Sequence, residues 1–240
     1  MRNWKIFVIP TLITLAIGGI YLAIVFHNRN TPGVAQKQAM DQQLSADDVA
    51  VVRMEFPQHY DDLADLVGKS VWMKDGYVIP AFPYAGGRVD FKKPAGLLPP
   101  LQKLDIKKTI KAVTPDSVDD AMSHGSRQAF YVATEPGSDA QLAVPVGAME
   151  GDQEQYFSDL LFYYDDPHTI YAHWQKDVWA AVDAHQVKPG MNELQTRLSV
   201  GQKVHSDSQT EGNRTVTYTT PTKKWTVTFV DDKATKISEQ

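Results

Sequence analysis

Residues 6–26 form an unbroken run of twenty-one uncharged, mostly apolar positions. As a helix rising about 1.5 Å per residue the run is about 31 Å long, which matches a ~30 Å hydrocarbon core. The pattern predicts a transmembrane signal anchor over residues 1–27. A cleaved signal peptide carries a shorter apolar core of about 7–15 residues. The small-x-small sequence Gly33-Val34-Ala35 lies well past the run, beyond His27 and Arg29. Arg2 and Lys5 stand before the span, and Arg29 and Lys37 after it. That near balance tips toward a cytoplasmic N-terminus. The expected topology is single-pass in the cell membrane, with the soluble domain extracytoplasmic. Residues 28–44 are polar around Thr31-Pro32-Gly33 and predict a flexible tether, with a reach of roughly 20–25 Å.

Beyond the tether the pattern becomes β-rich, and residues 45–165 are expected to form an extracytoplasmic domain. Ser45 followed by Asp48 is a helix-start signal. Short helices are expected near 46–53 and 60–66. Ser70-Val-Trp-Met-Lys and Tyr77-Val-Ile flank Asp75-Gly76, which reads as a two-residue hairpin. Pro80, Pro83, Gly86-Gly87, Pro94, Gly96 and Pro99-Pro100 then punctuate short apolar runs, as in a small barrel or sandwich. Strands are expected over 104–113, on both sides of the turn at 136–139, and over 160–164.

Residues 166–240 are expected to form a helix pair followed by an antiparallel sheet. Asp165-Asp166 and Pro167 mark a helix start. Tyr171, Trp174, Val178, Val182 and His185 then form one apolar stripe on a helix ended by Pro189-Gly190. Asn192 and Gln195 form a capping-box pair for a second helix that stops at Gly201. Trp225, Val227 and Phe229 alternate with Thr226 and Thr228, the period of a half-buried strand. The fold class read from the whole pattern is α+β with an N-terminal transmembrane helix.

The C-terminal pattern resembles the BamE/SmpA-like family of small envelope domains. The shared features are Gly190-Met191, a Leu-containing helix ending at Gly201, and a strand meander closing on Thr226-Val-Thr-Phe-Val. The resemblance covers about 55 residues and implies two short helices on a three-stranded antiparallel sheet. It also implies a setting in the bacterial envelope and a role in binding other proteins rather than in catalysis. Members of the family are typically lipoproteins, whereas this chain has no cysteine. It also carries a long stretch of soluble sequence ahead of the matching region.

The absence of cysteine excludes disulfides, thiolate nucleophiles, Cys-ligated zinc and Fe–S clusters. A net charge of −5 gives no case for nucleic acid. Arg88, Lys92, Lys93, Lys103, Lys107, Lys108 and Lys111 share their stretch with only Asp90 and Asp105, whereas 113–166 is acidic apart from Arg127. Such a basic run suits anionic lipid headgroups or an acidic polymer. Solvated strand edges kept charged against aggregation account for it equally.

Glu150, Asp152 and Glu154 alternate, and Asp116, Asp119 and Asp120 cluster, but the EF-hand template fails with Leu161 at its twelfth position. His168 and His173 are five apart, where helical zinc pairs need four. His124-Gly125-Ser126 lacks a nucleophile-elbow context. Tyr171, Trp174 and Trp179 read as packing residues. No catalytic residue, metal site or cofactor is expected. The functional expectation is a membrane-anchored scaffold or protein-binding module of the cell envelope, with an envelope protein as partner. An anchored hydrolase with a site of scattered residues, or an anionic-lipid or ligand-binding domain, are the alternatives. The oligomeric state is not legible in the sequence.

Overall fold

The computed structural model describes Gly18, Gly19, Tyr21, Leu22, Val25 and residues 44–116, 118, 127–151 and 153–240. Among them no helix is long and apolar enough to cross a membrane. This corrects the expected transmembrane helix, and with it the membrane and single-pass assignments that rested on it. The five described positions of the apolar run are helical, but they do not make a spanning helix. The rest of the run and residues 28–43 lie outside the described residues, as do Asp119, Asp120, Asp152 and His124-Gly125-Ser126.

The chain divides into two compact units, Met1–Val49 and Ala50–Gln240. In the first, the Asp48 carboxylate accepts from Ser45 N at 2.8 Å and from Ser45 Oγ at 2.9 Å. This closes a single turn rather than the helix expected over 46–53. Val51 and Val52, stiff at χ1, favour non-helical chain immediately afterwards.

The second unit is sheet-rich rather than the expected α+β, and its helices are short. A 3-10 helix, Tyr60–Leu66, precedes the first strand. Nine antiparallel strands follow: β1 (Ser70–Met73), β2 (Pro80–Ala85), β3 (Arg88–Val89), β4 (Gly96–Leu97), β5 (Lys103–Val113), β6 (Arg127–Thr134), β7 (Gln141–Glu150), β8 (Gln153–Tyr156) and β9 (Phe162–Tyr163). Their order is β3-β2-β7-β6-β5-β1-β9, with β4 on β2 and β8 on β7.

The central strand β6 is buried on both faces. Ala129, Tyr131 and Ala133 enter one core with Leu104, Ile106, Val144, Phe162 and the helical Leu63 and Leu66. Phe130 and Val132 enter a second core with Phe82, Tyr84 and Ala143. A bulge at Lys107 switches the faces of β5. Leu104 and Ile106 belong to the first core, whereas Ile110 and Ala112 pack on the second.

Asp75-Gly76 makes no hairpin. β1 pairs instead with β5 and β9, and Tyr77 N donates to Leu98 O at 2.7 Å. The chain travels past Pro99-Pro100 rather than turning back. The strand expected over 160–164 is a helical turn, α1 (Ser158–Leu161), followed by β9.

The helix expected after Pro167 is divided into α2 (Pro167–Ile170) and α3 (Lys176–Asp183). Tyr171 leaves helical geometry at φ −108°, ψ 39°. The turn folds the Tyr171 and Trp174 rings onto each other at 4.7 Å, with Trp174 4.8 Å from Trp179. Trp179 Nε1 donates to Tyr171 O at 3.3 Å, which ties the two helices. The capping box on α4 (Glu193–Val200) is reciprocal: Gln195 N donates to Asn192 Oδ1 at 2.8 Å and Asn192 N to Gln195 Oε1 at 3.0 Å. Gly201, at φ 92°, ends the helix where a side chain would be strained.

A second sheet follows in the order β10 (Lys203–Ser206), β11 (Thr215–Thr219), β12 (Lys224–Val230) and β13 (Lys233–Glu239). Val216, Tyr218, Trp225, Val227 and Phe229 form its core, while Thr217, Thr226 and Thr228 lie on the other face.

Candidate functional site

Residues 51–58 have no regular secondary structure, yet side chains from the folded body lace them down. Ala50 and Val52 pack against the aromatic cluster of Tyr163, Tyr171, Trp174 and Trp179. Arg53 Nη2 donates to Tyr164 O at 3.3 Å, its Nη1 meets Asp165 at 3.2 Å, and its guanidinium lies over the Tyr164 ring at 5.7 Å. The Asp159 carboxylate, at the start of α1, accepts from Glu55 N at 2.9 Å and from Phe56 N at 2.8 Å. This two-pronged grip holds Phe56 at φ 50°, a left-handed conformation rarely adopted by bulky residues. This strap, residues 51–58, turns Phe56 (64% exposed) and Met54 (42%) outward, and Leu160 of α1, next to Asp159, is 69% exposed.

Three hydroxyls lie buried in this region, Tyr131, Ser158 and Tyr164, and that of Tyr131 has no hydrogen-bond partner among the described residues. Burial, with the Asp159 charge as a lesser cause, holds the Tyr131 phenol far above its ordinary value. Burial likewise pushes the Tyr164 phenol up. Lys74 Nζ donates to Asp159 O at 2.7 Å, and its burial lowers the ammonium's pKa. Removing an unsatisfied buried hydroxyl recovers its desolvation cost, so Tyr131→Phe is expected to stabilise the protein by about 1 kcal/mol. Thermal melting checks this, and a loss of stability would show that the hydroxyl is partnered.

A cleft of about 600 Å³ adjoins the strap, lined by Gln58, His59, Tyr60, Asp61, Lys111, Gly151 and Glu154. Glu154 Oε2 accepts from Tyr60 N at 3.2 Å and from the Tyr156 hydroxyl at 2.8 Å. Lys111 Nζ lies 4.0 Å over the Tyr60 ring. Asp62 caps the 3-10 helix by accepting from Gln58 N and His59 N, both at 2.8 Å. Those bonds hold its carboxyl below the ordinary value.

The seven basic residues singled out by the sequence do not form one face. Lys108 pairs with Val132, and Lys111, three residues on, pairs with Ala129, so the strand pleat sends them to opposite sides of the sheet. Lys108 lies over the Tyr84 ring at 4.5 Å, and Lys103 over Trp72 at 5.2 Å. Lys107 occupies the bulge. Arg88, Lys92 and Lys93 sit on β3 and the turn after it, at the far edge of the sheet from β1 and β9.

Of the acidic clusters, Glu154 is committed to Tyr60 and Tyr156, and Glu150 pairs with Gln153 across the β7–β8 hairpin. Among the described residues no group of three His, Asp or Glu side chains is placed to hold a metal ion. His168 bridges Asp166 and Asp183, both at 3.2 Å, and stacks on Trp179 at 3.9 Å. It therefore joins α2 to α3. The His185 ring meets Ser199 O at 2.9 Å across the helix pair. Trp174, Trp179 and Tyr171 are buried in the aromatic cluster.

The strap leaves little trace in the sequence. Its one signal was Met54-Glu-Phe56-Pro57, apolar positions with no helical or strand period. No protein-family model, curated protein or solved structure matches the chain.

Proposed function

We propose that this chain is a non-enzymatic protein-binding module of the cell envelope and that its partner docks on Met54 and Phe56 of the strap and on the neighbouring Leu160. One observation carries the reading. Phe56 is pinned in a strained conformation by Asp159 while its ring stays largely exposed. Burying a phenylalanine or leucine side chain contributes about 1.5–3 kcal/mol. A left-handed bulky residue costs on the order of 1–3 kcal/mol. A fold that forgoes the first and bears the second has organised the site for something outside itself. The envelope setting rests on the resemblance of the C-terminal residues. The order of α3, α4 and the second sheet, two short helices and then antiparallel strands, supports it. The spread of the basic residues over both sides of the first sheet weighs against the anionic-lipid reading.

Site-specific photocrosslinking in cells tests the proposal. A crosslinker at Leu160 is expected to give a discrete protein adduct, and one at Thr217, on the outer face of the second sheet, none. Phe56→Ser is expected to weaken the Leu160 adduct about tenfold, the equivalent of 1.4 kcal/mol of lost apolar contact. Equal labelling from both positions, or an adduct indifferent to Phe56→Ser, would remove the strap as the docking surface.

A further inference from the structure

We infer that the segment docking on the strap is cationic and apolar, placing hydrophobic side chains on Phe56 and Leu160 and an Arg or Lys in the adjoining cleft. The inference rests on the protein-binding reading and adds the chemistry of the partner. Strap and cleft are continuous along the chain. Phe56 O accepts from Gln58 Nε2 at 3.1 Å, and Gln58 is the first residue of the cleft lining.

Among the described residues the cleft carries the carboxylates of Asp61 and Glu154 against one ammonium, Lys111. Lys111 is drawn over the face of Tyr60, which occupies part of its field. Glu154 uses Oε2 for both of its bonds, to Tyr60 N and to the Tyr156 hydroxyl, so Oε1 is the acceptor that remains. Asp61 is exposed and makes no ion pair among the described residues. Asp62, next in the chain, is kept ionised by its two main-chain donors and adds negative charge beside the entrance. The rim therefore favours a cation, and charge complementarity of this kind selects partners and speeds their encounter.

Three fluorescein-labelled peptides test the inference on the full chain: one alternating Arg with Leu, one with Glu in place of Arg, and one with Ser in place of Leu. Fluorescence anisotropy is recorded at low and at high salt. The Arg–Leu peptide is expected to bind at least about tenfold more tightly than either counterpart, with affinity falling as salt rises. Asp61→Asn with Glu154→Gln is expected to weaken it about tenfold, and Phe56→Ser with Leu160→Ser by as much again. Circular dichroism of each variant confirms that it remains folded, and Glu154→Gln keeps the acceptor that Tyr60 N and Tyr156 use. If the Glu–Leu peptide binds as well as the Arg–Leu peptide, or the carboxylate variants change nothing, the cationic partner is overturned. The docking strap then still stands, provided Phe56→Ser with Leu160→Ser abolishes binding. Failure of every peptide also overturns the cationic partner. Crosslinking from Leu160, which uses no peptide, decides separately whether the strap is a docking surface at all.

Discussion

Replacing Glu193 by alanine is expected to destabilise the protein by about 3–5 kcal/mol, lowering its melting temperature by roughly 6–20 °C. Glu193 stands in the first turn of α4 and grips Arg214 in a fork. Arg214 Nε lies 3.0 and 3.1 Å from the two carboxylate oxygens, and Nη2 lies 2.7 Å from Oε2. The same carboxylate accepts from Gly212 N at 2.7 Å. The Arg214 side chain is only 3% exposed, and its bonds to Glu193 hold the guanidinium's pKa above its ordinary value. Removing the carboxylate leaves a buried charge whose remaining partners among the described residues are the exposed Glu211, 3.1 Å away, and Ser208 O at 3.4 Å. It also frees the sheet side of α4. Differential scanning calorimetry of Glu193→Ala, Arg214→Met and their double variant measures the coupling. A double variant as unstable as the sum of the two singles would show that the pair contributes nothing as a pair.

Gly76→Ala is expected to cost about 3 kcal/mol, at the upper end of what overpacking usually does. A Cβ built on Gly76 falls 2.0 Å from Pro100 N and 2.1 Å from Pro100 Cδ, so the main chain itself must move. Gly68→Ala is the control. Gly68 has φ +83° with nothing within 4 Å of the added Cβ, so only backbone strain of about 1–2 kcal/mol is expected there. Urea unfolding of the two variants separates the causes. A Gly76→Ala protein as stable as wild type would show that the two chains do not approach so closely.

Gly76 also illustrates why parts of this fold were hidden. Asp75-Gly76 has the composition of a hairpin, but this glycine is there to let Pro100 approach. Main-chain proximity across 24 residues leaves no local pattern. The same limit applied to the basic run: seven cations close in sequence were scattered by a pleat and by a bulge at Lys107, neither of which composition records. The helix expected between Pro167 and Pro189 had the right stripe except at His185, since Tyr171, Trp174, Val178 and Val182 do share one cluster. The cluster is closed by a turn between two short helices instead of by one long one, because ring-to-ring packing outweighs propensity over so few residues. The candidate site was almost wholly invisible, since the Asp159 carboxylate holds Phe56 across 103 residues of chain.

Where a local signal and its energy coincide, the sequence alone determined the result. The capping box of Asn192 and Gln195, the stop at Gly201, the hairpin through 136–139 and the alternation of Trp225, Val227 and Phe229 all rest on contacts a few residues apart or on a period of two. Only the tertiary structure decided the order of the nine strands, the two-sided burial of β6, the Glu193–Arg214 fork and the pinned strap. Each of these depends on which distant residues meet, and that is settled by the joint burial of many side chains, a quantity that no short window of sequence contains.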